Sequence, residues 1–164
     1  MKKTGLIGLF VLGMLMTTFG QQYKTAIGVK GGYPYYGSLN IKHFFGSSAG
    51  EFRLGGGRYD FFIQGLYEKN FELGSGFEWY WGVGGHLGFW NYGYNNGYNY
   101  KGHVYKGKYY DNGVYGGLDA VLGLEYTFEE FPLNVAIDCG PSVNIFPYVQ
   151  GYFGAAIAAR FAIK

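Results

Sequence analysis

Of the 164 residues, 31 are glycine, 18 tyrosine and 15 phenylalanine, while only 15% are charged. Such a chain is poor in helix formers, rich in strand and turn formers, and too aromatic to be disordered. The formal net charge of +2 resides in Lys2 and Lys3, which leaves no electrostatic footprint for nucleic-acid binding.

Residues 1–20 stand apart. Lys2 and Lys3 form a basic start, Gly5–Met16 an apolar run, and Thr18 and Gly20 the small residues that precede a cleavage site. This pattern predicts a secretory signal peptide cut after Gly20, because the apolar run is shorter than a membrane-spanning helix requires. The remainder, 21–164, is long enough for one domain and carries 11 basic and 11 acidic side chains. Cys139 is the lone cysteine, so no disulfide framework is expected to hold it.

In chain order, Lys24–Lys30 alternates Thr25, Ile27 and Val29 with Lys24, Ala26, Gly28 and Lys30, the period of two that marks a strand. A Gly- and Pro-rich loop, 31–37, follows. Strands are predicted over Ser38–Phe45, Glu51–Gly57 and Phe61–Glu72, with turns at Gly46–Gly50 and Arg58–Asp60. Gly74-Ser75-Gly76 is a hairpin turn, and Phe77–Trp90 is the longest predicted strand. Asn91–Gly113 is polar, tyrosine-rich and without apolar periodicity, which predicts one long loop. Gly117–Phe128 and Leu133–Asp138 alternate again around a hinge at Glu129–Pro132. A loop at Ser142–Gly151 precedes the last strand, Tyr152–Lys164.

Eight two-faced strands and no helix to cover them predict an all-β, eight-stranded antiparallel up-and-down transmembrane β-barrel, apolar side toward lipid. With both ends of the barrel on the periplasmic side, the turns at 46–50, 74–76 and 129–132 are expected to be short and periplasmic. Those at 31–37, 58–60, 91–113 and 142–151 then face outward.

The leader, Trp79–His86, Gly117–Tyr126 and the final alternating strand make the chain resemble the small bacterial outer-membrane β-barrel family. Its architecture is similar to the eight-stranded membrane domain of outer membrane protein A. The resemblance covers the whole chain after the leader and implies residence in the bacterial outer membrane, without an activity. It also implies assembly by the barrel assembly machinery, which reads an aromatic residue at the end of the last strand. Here Phe161 and Ile163 keep that alternation and Lys164 closes the chain.

The polar parity, turned inward, places Lys30, Lys42, Glu51, Arg53, Glu68, Glu78, His86, Asp119, Glu125, Asp138 and Arg160 in the lumen. Isolated charges in so narrow an interior are costly, so they are expected to pair into a network, with Lys30 and Asp138 on the strands either side of Arg160 and Glu125 one strand further. The network either fills the barrel or gates a narrow pore. Tyr67, Trp79, Trp81, Tyr126 and Phe161 are predicted interfacial aromatics, and Cys139 a small outward-facing residue. In the segment 91–113, Tyr92, Tyr94, Tyr98, Tyr100, Tyr105, Tyr109 and Tyr110, with Lys101, His103, Lys106 and Lys108, are candidates for surface interaction. Tyrosine offers broad amphipathic contact at low entropic cost, and the basic residues suit anionic lipopolysaccharide.

Serine is scarce, and His43, His86 and His103 lack metal-ligand spacing. Gly82, Gly84, Gly85 and Gly88 lie inside a strand, where they are expected to relieve lumenal crowding or mark a bend rather than cradle a nucleotide. These features predict a non-enzymatic barrel without cofactor or metal. Its expected role is structural or in surface interaction, through 91–113 or as a subunit of an envelope complex. The alternatives are a narrow porin-like channel, a secreted lipocalin-like ligand binder with its apolar side inward, and a rim enzyme.

Overall fold

The computed structural model describes residues 23–34, 37–56, 60–100 and 103–163, with 91–100 and 103–112 described in backbone alone. The expected leader, Tyr35, Tyr36, Arg58, Tyr59, Lys101 and the terminal Lys164 lie outside the described residues.

Strands β1 (Thr25–Tyr33), β2 (Ser38–Phe45), β3 (Ser48–Gly56), β4 (Asp60–Gly74), β5 (Phe77–Tyr100), β6 (His103–Thr127), β7 (Leu133–Phe146) and β8 (Gln150–Ile163) form a closed barrel in sequence order. Each pairs antiparallel with the next, and β1 closes on β8 from Thr25↔Ile163 to Tyr33↔Ala155. Closure removes the exposed edges that an open sheet would carry.

Alternation sorts the two faces as expected. Leu122 is 56% exposed and Ile157 65%, whereas Glu125 and Arg160 are 2% and 1% exposed. Large apolar side chains are exposed all around the wall, among them Val29, Leu39, Phe52, Val83, Leu118 and Ile137. Cys139 is exposed on that same face.

One end of the barrel has tight connections. Gly46 turns β2 into β3 with φ +70°, and Gly74-Ser75-Gly76, all at positive φ, turns β4 into β5. Strand β3 starts earlier than expected, at Ser48, because Phe45↔Ser48 pairing continues the ladder up to a two-residue turn. Outward aromatics crowd this end: Phe71 stacks on Trp79 at 4.5 Å, Phe77 packs against Tyr126 at 4.5 Å, and Phe128 against Phe131 at 4.6 Å.

The opposite end departs from the sequence reading. The expected loop 91–113 is instead a hairpin: β5 and β6 stay paired from Phe77↔Tyr126 to Tyr100↔His103 without a break in register. Strand β4 accompanies β5 only to Asp60↔Trp90, and β7 accompanies β6 only to Gly116↔Phe146. Beyond those points the two strands pair with each other as a ribbon. Tyrosine is interspersed with asparagine and glycine on the β5 arm and with lysine and glycine on the β6 arm, so a test for apolar periodicity misses both strands. The expected loop 142–151 shrinks likewise, because Ser142–Phe146 continues β7 against Gln150 and its neighbours, leaving Pro147–Val149 as the connection.

Several lumenal glycines exist to admit a facing ring. A Cβ at Gly123 would collide with Tyr80, one at Gly88 with Tyr115, and one at Gly113 with Trp90. Each of these is a cross-strand β5–β6 pair, so the aromatic ring lies over its glycine partner. At Gly84 the obstacle is the Gly65 carbonyl of β4, a close backbone approach that only glycine permits.

Candidate functional site

All eleven predicted lumenal residues are buried, Lys42 and Glu68 completely and Glu78 least, at 8% exposure. They form layers along the barrel axis. Nearest the tight turns, Tyr23 and Phe44 meet edge-to-face at 5.0 Å over Ala26, Ala49 and Ala162, an apolar plug.

Above the plug lies an ionic layer. Lys42 bridges Glu68 at 2.8 Å and Glu125 at 2.9 Å, with its ammonium 4.2 Å from the Tyr80 ring centroid. Lys30 bridges Glu51 and Asp138, each at 2.6 Å, and Tyr80 donates its hydroxyl to Asp138 at 2.7 Å. Arg160 reaches Glu51 at 2.5 Å and Glu125 at 3.4 Å, and also donates to Asn134 and Asn40. Asn70 ties Glu78 to Glu125 through two hydrogen bonds of 3.1 Å.

Arg160 thus meets Glu125, two strands away, rather than Asp138 on the neighbouring strand. Its long side chain crosses the lumen from β8 to Glu51 on β3, while Asp138 goes to Lys30. The uncharged members Tyr23, Tyr80, Asn40, Asn70 and Asn134 were not singled out from sequence. Each except Tyr23 sits on the inward parity of its strand, and that parity was the available signal.

A further layer holds Arg53, which donates to Gln64 at 2.9 Å and Ser38 at 3.1 Å. Beside it, Ser142 donates to Asp119 at 2.5 Å, His86 Nδ1 lies 3.0 Å from Asp119, and His86 Nε2 lies 2.8 Å from Asn144 Oδ1. In the order Ser–Asp–His–Asn the Ser142 hydroxyl donates to a carboxylate rather than to the imidazole, whereas an activated serine has the imidazole as its immediate partner. The cavity between Arg53, Gln64 and Asp138 measures about 40 Å³, room for about one water molecule.

The lumen then opens at the ribbon end into a vestibule of about 280 Å³, lined by Asp60, Trp90, Tyr115, Asn144, Tyr148 and Tyr152 with two prolines. Trp90 and Tyr115 stack here with centroids 5.8 Å apart and planes inclined by 28°.

No protein-family model matches this chain, and no curated protein matches it either. Among the described residues, no three His, Cys, Asp or Glu side chains group in a way that would hold a metal ion.

The surface candidates in 91–113 divide by register. Tyr92, Tyr94, Tyr98 and Tyr100 of β5 and Tyr105 and Tyr109 of β6 fall on the ribbon face that continues the inward parity, with His103 beside them. Lys106, Lys108 and Tyr110 fall on the other face.

Proposed function

We propose that the chain is an integral protein of the bacterial outer membrane, closed by its own lumenal side chains, that works at the cell surface through its ribbon end. The observation that carries this reading is the inverted burial, with ion pairs at the centre and a continuous apolar surface outside. A soluble barrel of the lipocalin type turns its apolar side chains inward, where a ligand or core covers them. Water solvates an exposed apolar wall of this extent poorly; lipid solvates it well.

Dimensions support the same reading. Outward aromatics mark both ends of the wall, Trp79 and Tyr126 at the tight-turn end, Phe89, Phe61 and Phe153 at the ribbon end. From Trp79 to Phe89 is ten residues, about 33 Å along the strand and about 25 Å along the axis of a barrel tilted by about 40°. That is the height of an outer-membrane apolar band. The outward basic residues His43 and Lys69 lie toward the tight-turn ends of β2 and β4, bonded to Thr25 and Ser47.

The expected leader supplies export, and assembly falls to the barrel assembly machinery, with outer-membrane lipid and lipopolysaccharide as the surroundings. The tight turns then face the periplasm and the ribbon faces outward, its Lys106 and Lys108 on the side continuous with the lipid-facing wall. The test is fractionation of a Gram-negative host expressing the full chain. The protein is expected in the outer-membrane pellet after carbonate washing, and recovery in the soluble fraction overturns the reading.

A further inference from the structure

We propose that the outer backbone edge of the β5 arm of the ribbon pairs with the same edge of a second copy of this chain, standing in a facing membrane. The inference deepens the surface role above by naming the partner, and it rests on that reading for the outward direction of the ribbon. The two fail separately, since location is read on membrane fractions and pairing on purified protein.

The ribbon is two strands wide. Strand β4 leaves β5 at Trp90 and β7 leaves β6 at Gly116, and among the described residues no other strand pairs with either arm. Strand β3 ends at Gly56 and β4 starts at Asp60, so residues 57–59 are too few to line an arm that runs to Tyr100. The direction in which the backbone groups of the arm point follows from the tight-turn end. There the Thr127 N–H donates to the Gly76 carbonyl at 2.9 Å, and the register is unbroken from Phe77↔Tyr126 to Tyr100↔His103. Hydrogen-bonded and non-hydrogen-bonded pairs alternate along an antiparallel ladder, so even-numbered β5 residues bond β6 and odd-numbered ones turn away from it. In the arm, Gly93, Asn95, Gly97 and Asn99 therefore present their N–H and C=O groups along a free edge.

Such an edge is a template for a further strand, and chains guard it with charge or proline. The β6 arm, 103–112, carries Lys106, Lys108 and Asp111, whereas the β5 arm, 91–100, carries neither a charge nor a proline. The unguarded edge is that of β5.

Symmetry selects a second copy as the occupant. Tyrosines at 92, 94, 98 and 100 read the same in either direction about Asn96. Two antiparallel β5 arms related by a twofold axis at Asn96 set tyrosine positions opposite tyrosine positions. The hydrogen-bonding phase is kept, because Asn95 then meets Gly97 and Gly93 meets Asn99, all odd-numbered. A twofold axis along the strands would instead set each N–H against its own copy. The antiparallel pair needs arms that point in opposite directions, and copies in one membrane raise theirs the same way. The pair therefore bridges two membranes, on neighbouring cells or vesicles.

The experiment reconstitutes the purified full chain, alone, into two populations of phosphatidylcholine vesicles carrying donor and acceptor lipid dyes. The populations are expected to tether, read as energy transfer and rising turbidity. Joining Trp90 to Gly113 by a two-residue turn is expected to abolish tethering. Asn95 and Lys108 form one cross-strand pair whose N–H groups point from opposite edges of the ribbon. Asn95→Pro is therefore expected to cut tethering about tenfold, while Lys108→Pro leaves it unchanged. Heat-resistant electrophoretic migration shows that each variant has a folded barrel. With Cys139→Ser as background, Asn96→Cys is expected to form a disulfide between copies on mild oxidation, since its two copies stand about 4.5 Å apart at Cα. Tyr92→Cys, whose copies stand about 27 Å apart, is expected to form none. Absence of tethering overturns the proposal, as does equal loss in Asn95→Pro and Lys108→Pro. Tethering that persists without the ribbon, or cross-linking at Tyr92→Cys as complete as at Asn96→Cys, overturns it as well.

Discussion

Arg160 shows how single residues hold this barrel. Its guanidinium donates to two carboxylates and two amides while 1% exposed, so nearly every N–H meets an acceptor in a region that water does not reach. Removing one member of a buried ion pair leaves the other charge uncompensated, at a cost of about 3–5 kcal/mol. Arg160→Met is therefore expected to lower stability by about 3 kcal/mol, the low end because Glu51 keeps Lys30 and Glu125 keeps Lys42. Urea unfolding in lipid vesicles measures it, and an unchanged midpoint would mean the cluster adds no stability. Gly123 illustrates the steric counterpart. With the Tyr80 ring over it, Gly123→Ala forces that ring off Asp138 and is expected to cost about 1–3 kcal/mol by the same measurement.

At the scale of elements, strand alternation was legible along nearly the whole wall, and β2 was read to its residue bounds. Strand ends were not. Strand seven was read only to Asp138 and Ser142–Gly151 as a loop, yet β7 continues through Pro141 to Phe146 because Phe153 and Tyr152 of β8 still face it in the ladder. The tyrosine-rich segment misled for a different reason, since its tyrosines are interspersed with asparagine, glycine and lysine in place of apolar residues alternating with polar ones. The ribbon it forms pairs with no strand of the wall, so it contributes little to closing the barrel. Joining Trp90 to Gly113 by a two-residue Asn-Gly turn, which suits a hairpin, is expected to leave the urea midpoint and heat-resistant electrophoretic migration of the barrel unchanged. A chain that no longer folds after this change would show that the ribbon is part of the folding unit.

For the whole molecule, the lumen is a stack of filled layers: an apolar plug, an ionic cluster, a polar chain through His86, and an open vestibule. An eight-stranded barrel has a bore that side chains can occupy completely, and here ion pairs occupy its middle. Planar-bilayer recordings of the purified protein are accordingly expected to show no defined single-channel steps, and regular steps would revive the porin-like alternative. Which side chains share a face is a local property, because alternation along one strand repeats every two residues whatever the strand packs against. The number of strands, the inward charges and the outward apolar wall were readable for that reason. Which of those charges meet is not local. Arg160 and Glu51 lie 109 positions apart, and only closure of β8 onto β1 brings them across one lumen. The same holds for the stacked mouth at Trp90 and Tyr115 and for the length of the ribbon, since both follow from cross-strand register.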